Sequence, residues 1–239
     1  GFETPTFNEL GYRADGQAGL ALDLSAARSQ NLELGTKWRN AGGAAFDAAV
    51  FQASTDDELA VASNTNGRST YRNIGRTRRQ GVEASLQVPI SAQLEASLAY
   101  TYVEATVREP YLVCAGSGCA TPNTVVAAGS RLPGVPAQQW FGRLQYRPGA
   151  WQWAGEVVAS SDTVVNDLAT DKAPGYALLN LEAARSWTTD QGALRLFARV
   201  DNVLDQRYVG SVIVNDGNQR FFEPGPDRRY SVGVQWAWQ

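Results

Sequence analysis

The sequence predicts an all-β chain, an antiparallel transmembrane β-barrel portion of about nine strands, and three observations carry that expectation. Side-chain polarity alternates with period two in segment after segment, and no helical period persists. Short turns and long loops alternate between the predicted strands. Tryptophans gather at strand ends beside the short turns.

Taken in order, Asn31 to Arg39 sets Leu32, Leu34, Thr36 and Trp38 against Glu33, Gly35, Lys37 and Arg39. Ala44 to Gln52 is less regular, since Phe46 and Phe51 fall on opposite faces. Val82, Ala84, Leu86 and Val88 oppose Glu83, Ser85 and Gln87. Leu94, Ala96, Leu98, Tyr100 and Tyr102 oppose Glu95, Ser97, Ala99, Thr101 and Val103. Trp140, Leu144 and Tyr146 oppose Arg143, Gln145 and Arg147, and Trp151, Trp153, Val157 and Ala159 oppose Gln152, Glu156 and Ser160. Leu179, Leu181 and Ala183 oppose Asn180 and Glu182; Leu194, Leu196, Ala198 and Val200 oppose Arg195, Arg199 and Asp201. Tyr230, Val232, Val234, Trp236 and Trp238 oppose Ser231, Gly233 and Gln235. Each segment is near the roughly 9–11 residues that cross a bilayer when tilted.

A soluble β-sandwich alternates in the same way, so the connections decide. Short turns fall at Asn40–Gly43, Pro89–Ala92, Pro148–Ala150 and Thr188–Gly192, and long loops at Thr55–Gln80, Arg108–Gln139, Val164–Gly175 and Asp205–Arg229. That is the habit of outer-membrane barrels, with turns on one rim and loops on the other. Trp38, Trp151, Trp153, Trp187, Trp236 and Trp238 share the short-turn rim, and Tyr100, Tyr102, Trp140, Tyr176 and Tyr230 form a second girdle near the loops. Inward Glu33, Lys37, Glu83, Glu95, Arg143, Arg147, Glu156, Glu182, Arg195 and Arg199 suit a wet or plugged lumen better than a dry core. On these faces Arg at Leu98 or Val234 should block insertion, and Arg at Ser97 or Gly233 should be milder.

Composition narrows the function. Hydrophobic residues at 44% and charged residues at 19% exclude disorder, and the net charge of -3 gives no sign of a nucleic-acid partner. No run approaches the roughly 18 apolar residues of a spanning helix. His and Met are absent, which removes imidazole and thioether ligands, so no resident metal or cofactor is expected and a metal would arrive chelated. The chain begins with Gly1 and is expected to be a fragment or processed product. Cys114 and Cys119 in Cys-Ala-Gly-Ser-Gly-Cys suit a local disulfide in an oxidising compartment, with a redox or metal role as the alternative. No catalytic constellation can be assembled, so an enzyme is not expected. Asp56-Asp57-Glu58 suits solvated loop charge, with a calcium or glycosidase role as the rival.

Three stretches carry a family resemblance. Gly1-Phe2-Glu3-Thr4-Pro5-Thr6 with Asn8-Glu9-Leu10, Tyr71-Arg72-Asn73-Ile74-Gly75 with Arg78-Arg79-Gln80-Gly81-Val82-Glu83, and Asp201-Asn202-Val203-Leu204-Asp205 with Tyr208 resemble the C-terminal half of TonB-dependent outer-membrane receptors. Val203-Leu204 stands where the family more often has Leu-Phe, and the chain ends on Gln239 rather than an aromatic. The resemblance implies that residues 1–239 are an incomplete domain, the C-terminal part of a 22-stranded barrel with its plug absent. It also implies import of a scarce nutrient, a ferric siderophore or similar anionic chelate, energised by TonB through the missing N-terminal plug. A self-contained small outer-membrane barrel acting as pore, adhesin or anchor is the alternative.

For ligand contact the candidates are Arg68, Arg72 and Arg76, from a group with Arg78 and Arg79, and the loop residues Tyr12, Arg13, Tyr71, Tyr208, Asn215, Asn218 and Arg220. Guanidinium forks suit carboxylate, catecholate or phosphate oxygens. The Arg group has three readings: pairing with the barrel's own acids or the plug, contact with lipopolysaccharide phosphates, and substrate capture.

Overall fold

A computed structural model describes residues 1–65, 67–115 and 121–238. The chain opens with β1 (Phe2–Glu3) and one helical turn, α1 (Phe7–Leu10), closed by a capping box in which the Thr6 amide donates to Glu9 Oε2 at 2.6 Å. The hairpin β2 (Ala27–Arg39) and β3 (Ala45–Asp56) follows, and the loop after it folds as its own hairpin, β4 (Leu59–Thr65) and β5 (Arg68–Asn73). The pattern then repeats. β6 (Thr77–Pro89) and β7 (Leu94–Val107) precede β8 (Tyr111–Val113) and β9 (Thr124–Val126); β10 (Gln138–Tyr146) and β11 (Trp151–Ser160) precede β12 (Thr163–Val164) and β13 (Lys172–Ala173). β14 (Tyr176–Thr189) and β15 (Gly192–Asp201) precede β16 (Val209–Val212) and β17 (Phe222–Pro224), and β18 (Arg229–Trp238) ends the sheet.

The long strands form one antiparallel, ten-stranded sheet in the order β1-β2-β3-β6-β7-β10-β11-β14-β15-β18, which does not close on itself. Apart from two-residue β1, its members run from 9 to 14 residues, long enough to cross a bilayer when tilted. Every short turn joins neighbours at one end of the sheet, and every long loop leaves from the other.

Residues paired across strands share a face, so register fixes both surfaces. One row runs Trp38, Phe46, Leu86, Leu98, Gly142, Val157, Leu179. Its members point outward, where Leu32 and Val232 are 75% and 76% exposed. An apolar surface of that extent belongs against acyl chains rather than water. The opposite row Gln87, Ser97, Arg143, Glu156, Asn180 lines the concave side. β3 is one uninterrupted strand despite its irregular pattern: Phe46 faces lipid, while Phe51 faces inward with its ring over Gly81.

Both aromatic belts form, with Trp151 stacked on Trp153 at 5.5 Å on one rim and Tyr100 on Trp140 at 3.9 Å near the other. Tyr176 is a correction. It pairs with Ser160 on the inner face and packs on Tyr208 at 4.6 Å, so it is no part of the outer girdle. Gly233 carries a constraint of its own, since a Cβ there would meet the Phe197 ring on the neighbouring strand and that ring must shift. Gly233→Ala is expected to cost about 1–3 kcal/mol through overpacking, measured as a lower unfolding temperature of the folded barrel, and Phe197→Ala in the same chain should relieve part of the loss.

Well-buried apolar cores lie above the sheet, among the loops. Ile74, Ala105, Val107, Val113, Val126 and Leu132 make one cluster, and Val165, Ala173 and Phe221 another.

Candidate ligand-binding site

Three of the predicted ligand residues meet. Tyr12, Arg13 and Arg68 line a cavity of about 800 Å³ between the loop after α1 and the β4–β5 hairpin, with Gln17, Ser63, Thr65 and Thr70 completing its polar wall. The local sequence explains the shape. Arg13 forks onto Asp15 (Nε to Oδ1 2.9 Å, Nη2 to Oδ2 2.5 Å), and the Gln17 amide donates to the same carboxylate at 3.1 Å. Gly16, at φ +74°, permits the turn between them. The Arg13 hydrogen bonds hold the Asp15 carboxyl at about 2, so this ion pair persists across the ordinary pH range. The Arg68 guanidinium lies 5.2 Å above the Tyr12 ring and has no carboxylate partner among the described residues. Of the two arginines lining this cavity, it is the one left to meet a ligand. A free guanidinium, an aromatic face and a ring of hydroxyls and amides suit an anion with an apolar or aromatic body.

Arg72 and Asn215 hold the loops together. Arg72 ion-pairs with Asp167 at 2.5 Å, donates to the Leu112 carbonyl at 3.3 Å and stacks over Tyr111 at 5.0 Å. Asn215 donates to Asp167 Oδ2 at 3.0 Å and to the Val61 carbonyl at 2.7 Å, and accepts from the Asp167 amide at 3.1 Å. Together these contacts join β4–β5, the β7–β10 loop, the β11–β14 loop and the β15–β18 loop. Burial and the adjoining Asp167 charge push the Tyr111 hydroxyl well above its ordinary range. Tyr71 pairs with Val61 within its hairpin, and the Asn218 and Arg220 amides both donate to Asp216 in a tight turn.

Arg76 pairs with Asp56 at 3.1 Å and Glu109 at 3.2 Å. Arg79 forks onto Glu58 at 2.8 and 3.1 Å, with Thr77 donating to the same carboxylate. Burial works to raise Glu58, but Arg79 and Thr77 hold it below its usual range. The acids Asp56 and Glu58 are therefore counter-charges of the Arg group. Tyr208 covers Gly225, and Asn202, buried in a left-handed turn, donates to the Gln206 and Pro226 carbonyls. The Asp-Asn-Val-Leu-Asp…Tyr stretch is thus a folding device. Cys114 is disulfide-bonded; Cys119, the other cysteine, lies outside the described residues.

On the inner wall the predicted charges form a network. Glu156 takes Arg143 at 3.1 Å and Arg199 at 2.8 Å, Glu182 takes Arg195 at 2.9 Å, and Arg199 also reaches Asp201 at 2.6 Å.

A family model described as TonB dependent receptor-like, beta-barrel matches residues 1–203. A probable TonB-dependent siderophore receptor, PiuA of Acinetobacter baumannii, is 25% identical over 187 residues, 77% of this chain and 24% of that protein. The chain thus spans about a quarter of the length of that curated relative. Among solved structures, the copper transporter OprC superposes with a TM-score of 0.72 over 99% of this chain and 36% of its own, at 15% identity. The siderophore receptor PiuA from Acinetobacter baumannii gives 0.69 at 22% identity over 86% and 28%, and the unliganded ferric citrate transporter FecA 0.68 at 19% over 89% and 31%. Outward apolar strands, long loops on a single rim and this match over most of the length lead to one conclusion: the chain belongs to the TonB-dependent receptor β-barrel family of the bacterial outer membrane.

Proposed function

We propose that residues 1–239 are the C-terminal wall of a 22-stranded receptor that imports an anionic chelate, a ferric siderophore in the first instance, energised by TonB through a plug outside this chain. The observation that carries the reading is the loop cavity in which Tyr12, Arg13 and Arg68 converge. It is a site that binds and releases rather than transforms, so we take the protein to be a receptor and not an enzyme. Relatives named for a siderophore and for ferric citrate support an anionic ligand. OprC is named for copper, but a chain with no His or Met lacks the ligands that suit bare copper, which favours a metal already wrapped.

The open sheet supports membership of a longer barrel over a self-contained pore, adhesin or anchor, because unpaired edges in lipid leave backbone groups without partners. Lipid would cover the outer face, with lipopolysaccharide phosphates near outward Arg78 at the loop rim, whose Nε lacks a partner among the described residues.

In the full receptor, Arg68→Ala is expected to weaken binding of ferric citrate or a ferric catecholate about tenfold, as for loss of a charge-assisted hydrogen bond, and to reduce its salt dependence. Titration at two ionic strengths, with neutral cobalamin as comparison, tests this. Unchanged affinity and salt slope, or a preference for the neutral ligand, would sink the reading.

A further inference from the structure

We propose that Arg185, held between Trp151 and Trp187 on the outer face, binds the phosphodiester of a glycerophospholipid in the periplasmic leaflet. The register Trp151–Arg185–Leu196–Val234 places it on the lipid-facing surface, and it is exposed there. The other charges on that surface of the strands, Arg28, Asp56, Arg78 and Glu104, all sit near the long-loop ends. Arg185 lies in the opposite half. The Ser186 amide donates to the Ala150 carbonyl of the β10–β11 turn at 2.9 Å, which fixes the residue at the short-turn rim.

A lone guanidinium facing hydrocarbon is costly, so its surroundings must suit it. Its carbon stands 5.2 Å from the Trp151 ring and 5.0 Å from the Trp187 ring, and no carboxylate pairs with it among the described residues. Contact with two indoles offsets part of the cost of the cation there, and its N–H groups are left for an oxygen anion. At this level of the membrane the anion available is the lipid phosphate, whose acyl chains would continue over Leu181, Leu196 and Val234, all exposed. The indole pair and the guanidinium thus recognise the headgroup, and the apolar strands the tails.

The test uses the full receptor, stripped of lipid in neutral detergent and titrated with phosphatidylglycerol, with bound lipid counted by native mass spectrometry. Arg185→Ala is expected to weaken the tightest-bound lipid about fivefold, Arg185→Lys less, and Arg28→Ala, outward at the opposite rim, not at all. Wild-type retention by Arg185→Ala, or equal loss in Arg28→Ala, overturns the proposal. Should Arg185→Ala fail to fold, the wild-type protein decides. Brominated phosphatidylglycerol should quench tryptophan fluorescence at lower concentration than brominated diacylglycerol of the same chains, and equal quenching overturns the assignment.

Discussion

Arginine at Leu98 is expected to remove the receptor almost completely from outer-membrane fractions, and arginine at Val234 to reduce its level less. Both side chains point outward and are exposed, Leu98 opposite Leu86 and Gly142, Val234 opposite Leu196. Val234 shares its register row with Arg185, towards the short-turn rim, so arginine there should cost less than at Leu98, whose row meets β14 at Leu179, six residues further from that rim. A cation near the bilayer midplane costs roughly 2–4 kcal/mol, a large share of the stability of any fold, and the strand cannot rotate to hide it without turning every neighbour inside out. Thr101→Arg is the control, since Thr101 pairs with Glu83 on the inner wall and a new cation there gains a carboxylate. The heat-resistant folded band should vanish for Leu98→Arg, weaken for Val234→Arg and persist for Thr101→Arg. Equal loss at all three positions would mean the inner and outer faces are wrongly assigned.

Asp167→Ala should have the next largest effect, and it should fall on the loops. The Asp167 side chain is 5% exposed and that of Arg72 22%, so removing the carboxylate leaves a guanidinium with little water to replace it, at a cost of about 3–5 kcal/mol. Asn215 loses a partner in the same step. Amide exchange should accelerate across β4, β5, β16 and the segment around Asp167, with β6, β7, β14 and β15 unchanged, and Arg72→Ala should reproduce the pattern. Arg76→Ala should not, since its pairs are more than half exposed on most sides and worth at most about 1 kcal/mol. Were Arg72→Ala to abolish ligand binding while loop exchange stayed at wild-type rates, Arg72 would be a ligand contact and its structural role here would be mistaken.

The contrast between sheet and loops also explains what could be foreseen from sequence. Strands such as Leu94–Val107 were legible because lipid on one side and a wet lumen on the other impose strict alternation, and the turn and loop positions followed from where that alternation stops. The loop hairpins were not. β8, β9, β12 and β13 have only two or three residues each, too few for a period to register. Pairing with the barrel's own acids is among the readings of Arg72, but the sequence cannot name the partner, Asp167, which lies 95 positions from Arg72 and 48 from Asn215 with nothing local to mark it. Tyr12 and Arg13 are candidates by loop location and Arg68 as one of a guanidinium group, whereas Gln17, Ser63, Thr65 and Thr70 carry no signal until the chain folds them around a cavity. The contact of Gly233 with Phe197 is hidden for a related reason, as nothing in its own strand announces the ring overhead.

With its buried clusters placed among the loops and its outer strands left bare, the molecule is folded by two solvents. Ile74, Val107 and Val126 are drawn together by water, whereas Leu98, Leu196 and Val232 gain nothing from water at all once acyl chains surround them. Urea, whose effect scales with the surface a chain newly exposes to it, should therefore dissolve the extracellular cap first and leave the wall standing. A change of acyl-chain length should do the reverse, straining the wall and passing the cap by.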